Sequence, residues 1–184
     1  MHSPTVSIGR PASLIGRLSR EIACYDLLDS LSIPYEHLDH EALFTIEACR
    51  EADAALNVRM CKNLFLCNQN KTRFYLLLMP GEKRFQTKVF SSLIGSSRLS
   101  FAPESYLEEL LGLTPGSVTV LGLMNDVEGK VSLYIDADLL KEEYMGCHPC
   151  INTSSLKIRT DDLIQKLLPA MRHGYEVVDL PWNS

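Results

Sequence analysis

The sequence has little that would take it out of water. No apolar run approaches the ~20 residues that span a bilayer, which excludes a single-helix membrane role. The N-terminus lacks a compact apolar segment, so a secretory signal is not expected. Repeats, low-complexity stretches and long linkers are also missing. The 184 residues therefore read as a flexible tail over 1–17 and one domain over 18–184, large enough to bury a core. The first twenty residues have no acid, but they hold Arg10, Arg17, Arg20 and four serines. That faintly resembles an organellar transit peptide; a disordered tail and a cytoplasmic protein are the expectation.

What the six cysteines lack decides how to read them. A structural zinc site takes about four ligands, usually from two closely spaced pairs. Only Cys147-x-x-Cys150 is such a pair, since Cys61 and Cys67 are too far apart. A redox pair sits at a helix N-terminus, yet the residues that follow, Asn152-Thr153-Ser154-Ser155, are poor helix formers. Reduced, mostly buried thiols are expected, with no metal and no cofactor.

The order of elements also lacks strict βαβ alternation, which argues against a Rossmann fold. Helical spacing runs from Leu18 to Leu31, with Ile33-Pro34 as a stop. Tyr35 to Leu38 reads as a strand ending in His40, and Thr45 as the cap of a helix from Ile46 to Leu56. Lys62 to Cys67 and Phe74 to Met79 suit a hairpin whose second strand is central. Helices follow at Phe85–Ile94 and Pro103–Leu111, the latter closed by Gly112. After the turn Thr114-Pro115-Gly116-Ser117 comes the apolar segment Val118–Met124, then a strand over Lys130–Ile135 and a short helix over Asp136–Glu143. Strands at Tyr144–Cys147 and Leu156–Arg159, a helix from Thr160 to Arg172 and a strand at Tyr175–Leu180 complete an α/β fold of mixed α+β character.

Chemistry-bearing residues concentrate in Gly146-Cys147-His148-Pro149-Cys150-Ile151-Asn152-Thr153. Pro149 fixes its own φ and pushes His148 toward an extended conformation, so the stretch is not helical. Charge is uneven too. From Asn57 to Ser100 eight basic residues face the single acid Glu82, a local +7 that leaves −12 for the rest of a chain of net charge −5. Bulk charge does not invite nucleic acid, and DNA is not an expected partner. The basic segment reads either as a phosphate-binding face or as a solvated surface.

Several ordered motifs together resemble a known family: Lys-Asn-Leu-Phe-Leu (62–66), Met-Pro-Gly-Glu-Lys-Arg-Phe (79–85), Leu-Ser-Phe-Ala (99–102), Leu-Leu-Gly-Leu-Thr-Pro-Gly-Ser-Val-Thr (110–119), Leu-Gly-Leu-Met-Asn-Asp (121–126), His-Pro-x-x-Asn-Thr (148–153) and His-Gly (173–174). From about Leu18 to Leu180 the chain is similar to the freestanding prolyl-tRNA-synthetase-associated editing domains of the YbaK/ProX type, most of all their alanyl-tRNA(Pro) deacylase branch. Val120 departs from the pattern, standing where proline is common.

The resemblance implies a mixed, partly barrel-like β-sheet surrounded by helices. It implies hydrolysis of the ester joining a wrong amino acid to tRNA, with Lys62 the matching essential lysine and Asn63 and His148 its polar partners. The acceptor end of mischarged tRNA(Pro) would be the substrate and prolyl-tRNA synthetase a possible partner. Such an ester is already activated, so a placed water and oxyanion stabilisation suffice. Backbone N–H groups at Gly116 and Ser117 are candidates for the latter, with Asn152 and Thr153 as further substrate contacts. Lys83, Arg84, Lys88 and Arg98 are expected on acceptor-end phosphates. Val118, Leu121, Leu123 and residues from Tyr35 to Thr45 are expected to wall a pocket too small for proline. The alternatives are the same hydrolysis on Cys- or Ser-charged tRNA, and a non-catalytic module binding tRNA or a synthetase.

Overall fold

The computed structural model describes residues 5–42, 46–59 and 61–182, with only the backbone of 46–50. Its strands form two sheets. In chain order the elements are β1 (Val6–Ile8), α1 (Ser19–Ser30), β2 (Tyr35–Asp39), α2 (Ile46–Leu56), β3 (Cys61–Asn68), β4 (Phe74–Pro80), α3 (Thr87–Leu93), β5 (Leu99–Phe101) and α4 (Glu104–Leu111). A 3-10 helix (Val120–Asn125), β6 (Val131–Asp136), a 3-10 turn (Leu139–Lys141), β7 (Tyr144–Cys147), β8 (Ser154–Arg159), a helix over 160–170 (α5) and β9 (Glu176–Val178) follow.

The first sheet is antiparallel with order β1-β2-β8-β7; the second is mixed, with order β5-β3-β4-β6-β9. β4 pairs antiparallel with β3 and parallel with β6. All seven of its residues are buried, because it has a strand on each side and apolar layers on both faces. Phe74, Leu76 and Leu78 face the main core between the sheets, with α1, α4 and α5. Tyr75, Leu77 and Met79 face a second layer closed by Phe90 of α3 and by Leu180.

The fold is mixed α/β, as the element order predicts, but it contains no closed barrel among the described residues. The two sheets approach at one corner, where Gly146 N–H donates to the Arg59 carbonyl at 3.1 Å. The N-terminal tail is a second correction. Val6–Ile8 adds a strand to the edge of β2, Gly9 N–H donates to the Tyr35 carbonyl at 2.8 Å, and Arg10 pairs with Asp26 and Asp29.

Local chemistry accounts for most boundaries. Gly112 closes α4 in the left-handed conformation at φ 63°. In α5, residues Leu163–Leu167 widen into a π turn. Pro169 has no N–H for the carbonyl four residues back, and its ring crowds that carbonyl, so the ladder shifts register there. Most of the apolar stretch after the 114–117 turn is a 3-10 helix, and the helix expected over Asp136–Glu143 shrinks to one 3-10 turn. The expected cap Thr45 lies outside the described residues.

Candidate active site

The loop 148–153 bridges β7 to β8 and is held from beneath. Cys150 is fully buried with φ 60°, and its Sγ lies 3.4 Å from Cys24 Sγ of α1. The contact with Cys150, together with burial, pushes the Cys24 thiol far up, and burial does the same to Cys147. Cys150 thus meets α1, not Cys147, and Cys24 and Cys147 are neutral packing groups. Among the described residues no group of three or more His, Cys, Asp or Glu is arranged to hold a metal ion.

His148 is held in a single tautomer. Its Nδ1 is 2.9 Å from the Ser154 carbonyl, which only accepts, so Nδ1 carries the proton and Nε2 keeps a lone pair. Burial lowers its pKa; the Ser154 carbonyl works against that, and His40 adds to it. His40 packs edge-on, ring centroids 6.4 Å apart. Its Nδ1 donates to the Glu41 carbonyl at 2.7 Å, leaving Nε2 to accept from Ser155 Oγ at 2.8 Å. Ser155 Oγ is 3.5 Å from His148 Nδ1. In the sequence His40 is only a strand end within the stretch 35–45 expected to wall the pocket, and Ser155 carries no motif. The period-2 alternation of β2 and β8 is too common a signal to pair them.

Gly116 occurs at φ 84°, and a Cβ built there would lie 3.6 Å from Asn152 Nδ2, so the 114–117 turn and the 148–153 loop face each other. Ser117 is a correction. Its N–H donates to the Thr114 carbonyl at 3.0 Å and its Oγ to the same oxygen at 2.7 Å, so it closes the turn and offers no N–H to a ligand. Thr114, Ser117, Asn152 and Thr153 line one side of a cleft of about 560 Å³; the chain from Ser13 to Glu21 lines the other.

The far side of the same turn borders a second recess. Pro115 and Val118 line a groove of about 240 Å³ with Asn63, Leu64 and Phe101. It opens because β5 pairs with β3 at residues 66–68, with one further bond from Ala102 N–H to the Phe65 carbonyl, leaving the start of β3 bare on that edge. Asn63 Nδ2 donates to the Cys61 carbonyl at 3.1 Å, but its buried Oδ1 has no partner. Of the expected walls, Val118 borders the groove, while Leu121 and Leu123 are fully buried in the main core.

Lys62 alternates with Asn63 along β3 and projects from the opposite sheet face, where its Nζ donates to the Lys83 carbonyl at 2.8 Å. Desolvation lowers its pKa, with Glu82 opposing. Lys83, expected on a phosphate, is 1% exposed. Its ammonium binds both oxygens of Asp136 at 2.9 Å, Asp138 at 2.8 Å and the Leu180 carbonyl at 2.7 Å, with the Trp182 ring 5.0 Å away. Burial works against the charge, but Asp138 and Asp136 outweigh it and raise the pKa. All three N–H donors are committed, so Lys83 is a structural cation and not part of a phosphate footprint. Arg84, Lys88 and Arg98 are exposed.

Residues 40–166 match the aminoacyl-tRNA editing domain family. The Prolyl-tRNA editing protein ProX of Acetoanaerobium sticklandii is 30% identical over 153 residues, covering 83% of this chain and 93% of its own. The Prolyl-tRNA synthetase associated domain-containing protein 1 of Danio rerio is 29% identical over 144 residues, covering 77% of this chain and 78% of its own. A solved structure described as a proposed trans-editing enzyme for prolyl tRNA synthetase superposes with a TM-score of 0.66 at 18% identity, over 89% of this chain and 97% of that one. The motifs, the fold and the matched span converge: the chain belongs to the aminoacyl-tRNA editing domain family, whose members are deacylases.

Proposed function

We propose that the protein is a trans-acting deacylase that removes alanine from mischarged tRNA(Pro). The observation that carries this reading is the 114–117 turn standing between two unlike recesses, a polar cleft beside Asn152 and Thr153 and a small, largely apolar groove beside Asn63. A 3′-terminal adenosine bound in the cleft brings its ester to Gly116 and its amino acid into the groove. There Asn63 Oδ1, buried and without a donor, accepts from the substrate's ammonium. The Gly116 N–H stabilises the oxyanion. His148 Nε2, neutral and accepting, orients the attacking water or a ribose hydroxyl. Lys62, on the other face of β3 from Asn63, uses one of its three donors on the Lys83 carbonyl and has two left for a phosphate. The names of the relatives support proline tRNA as the carrier.

The test is deacylation of tRNA(Pro) charged with alanine, cysteine, serine or proline. Alanine should be released fastest and proline spared, with Lys62→Ala abolishing turnover in a folded protein. Equal rates on alanine and proline would remove the size sieve, faster release of cysteine or serine would reassign the substrate, and a fully active Lys62→Ala would remove Lys62 from the mechanism.

A further inference from the structure

We propose that Arg20 is the phosphodiester-binding residue of the cleft, gripping the backbone just inside the 3′-terminal nucleotide; this rests on the reading of tRNA as substrate. Arg20 stands in the first turn of α1 and lines the 560 Å³ cleft opposite Thr114, Ser117, Asn152 and Thr153. The cleft is large enough for a nucleotide. Its other cation, Arg17, is spent. It holds Asp39 through both carboxylate oxygens, at 3.0 and 2.5 Å, and also pairs with Glu21, whose carboxylate accepts from Tyr25 OH at 2.9 Å. The two acids of the cleft are thereby both tied to Arg17.

Arg20 forms no ion pair among the described residues. Among the described residues its guanidinium makes one long hydrogen bond, from a terminal nitrogen to Thr114 Oγ1 at 3.3 Å, and its buried Nε has no acceptor. A buried N–H without an acceptor is costly, and a guanidinium matches a phosphate in charge and in its paired donors. Leu18 gives α1 no side-chain cap, and its carbonyl takes the N–H groups of Glu21 and Ile22, so the N–H groups of Ser19 and Arg20 itself remain at the start of the helix. The ligand that satisfies this set is an anion with several acceptor oxygens beside a group contacting Asn152 and Thr153, as a phosphodiester next to a nucleoside is.

Three esters separate the possibilities: Ala-tRNA(Pro), alanyl-cytidylyl-adenosine with one phosphodiester, and alanyl-adenosine with none. Arg20→Ala, at a helical position that tolerates alanine, should raise KM about tenfold on the two phosphodiester-bearing esters relative to alanyl-adenosine. The salt slope for tRNA should become shallower by about 0.7. Arg20→Lys should recover part of the loss, because the charge returns without the fork. An equal loss on alanyl-adenosine, or no change in KM on any ester, overturns the proposal. Should the wild-type protein hydrolyse none of the three, the editing reading fails by itself. Anisotropy with an uncharged CCA-ended minihelix then decides the phosphate site: weaker binding by Arg20→Ala supports it, and equal binding refutes it.

Discussion

At the scale of single residues, Lys83 shows how burial changes the meaning of a charge. In the sequence it is one of eight basic residues in a +7 segment. In the fold it lies between Asp136, at 0% exposure, and the backbone carbonyl of Leu180. A phosphate contact and a structural cation make opposite predictions. Lys83→Met leaves Asp136 buried without its counter-ion, which should cost about 3–5 kcal/mol of stability. Adding Asp136→Leu should recover much of that loss, since a well-packed apolar pair often replaces a buried ion pair at little cost. A surface contact would instead change stability by less than about 0.5 kcal/mol and act on the salt dependence of tRNA binding. Urea unfolding midpoints separate the two cases. The backbone carbonyl of residue 83 that accepts from Lys62 stays in the chain, so any fall in activity is expected to follow the loss of stability.

At the scale of elements, the segment after the 114–117 turn decides which of the expected wall residues border the groove. A strand would send alternate residues to opposite faces. The 3-10 helix over Val120–Asn125 instead turns Val120, Leu121 and Leu123 into the main core and leaves Val118 beside the groove. Val118→Ala should therefore admit Pro-tRNA(Pro) to hydrolysis while changing the alanine rate much less. Leu121→Ala and Leu123→Ala should cost about 2–5 kcal/mol in stability with no gain on proline. Parallel assays of unfolding and of Pro-tRNA(Pro) deacylation check both halves; proline hydrolysis that rises with Leu123→Ala and not with Val118→Ala would reverse the assignment. The hairpin β3–β4, the glycine end of α4 and the strands around loop 148–153 were legible because each depends on near neighbours in the chain: alternation, a left-handed residue, a proline. The 3-10 helix, β1, the His40–Ser155–His148 cluster and the contact between Cys24 and Cys150 were not. Each is settled by what lies across from it, and Val6-Ser7-Ile8 is too short to be read as a strand until β2 is there to pair with it. Gly116 and Asn152 could be named from the resemblance, whereas Arg20 carries no motif and emerges only from its unpaired Nε.

At the scale of the whole molecule, the charge asymmetry has to be redistributed once Lys83 is withdrawn from the surface. Arg84, Lys88 and Arg98 remain exposed around α3 and β5, on the side of the second sheet that Lys62 also faces. The cleft at the start of α1 is bounded by the first sheet's loop 148–153 and by the 114–117 turn. A tRNA that places its terminal nucleotide in that cleft and its acceptor stem across α3 would meet two separate sets of cations. Arg20 would grip the single-stranded end, and Arg84, Lys88 and Arg98 would meet the stem. These contacts differ in what they require. The first needs only a short 3′ end; the second needs a duplex. Charge reversal by Arg84→Glu with Lys88→Glu should weaken binding of full tRNA(Pro) and make its salt slope shallower by about 0.7–0.9 for each phosphate lost. Its effect on alanyl-cytidylyl-adenosine should be small. Filter binding across a salt series, run beside hydrolysis of the short ester, measures both. A reversal that leaves tRNA affinity and slope unchanged would move the stem footprint off α3, and one that impairs the short ester equally would bring these residues into the cleft.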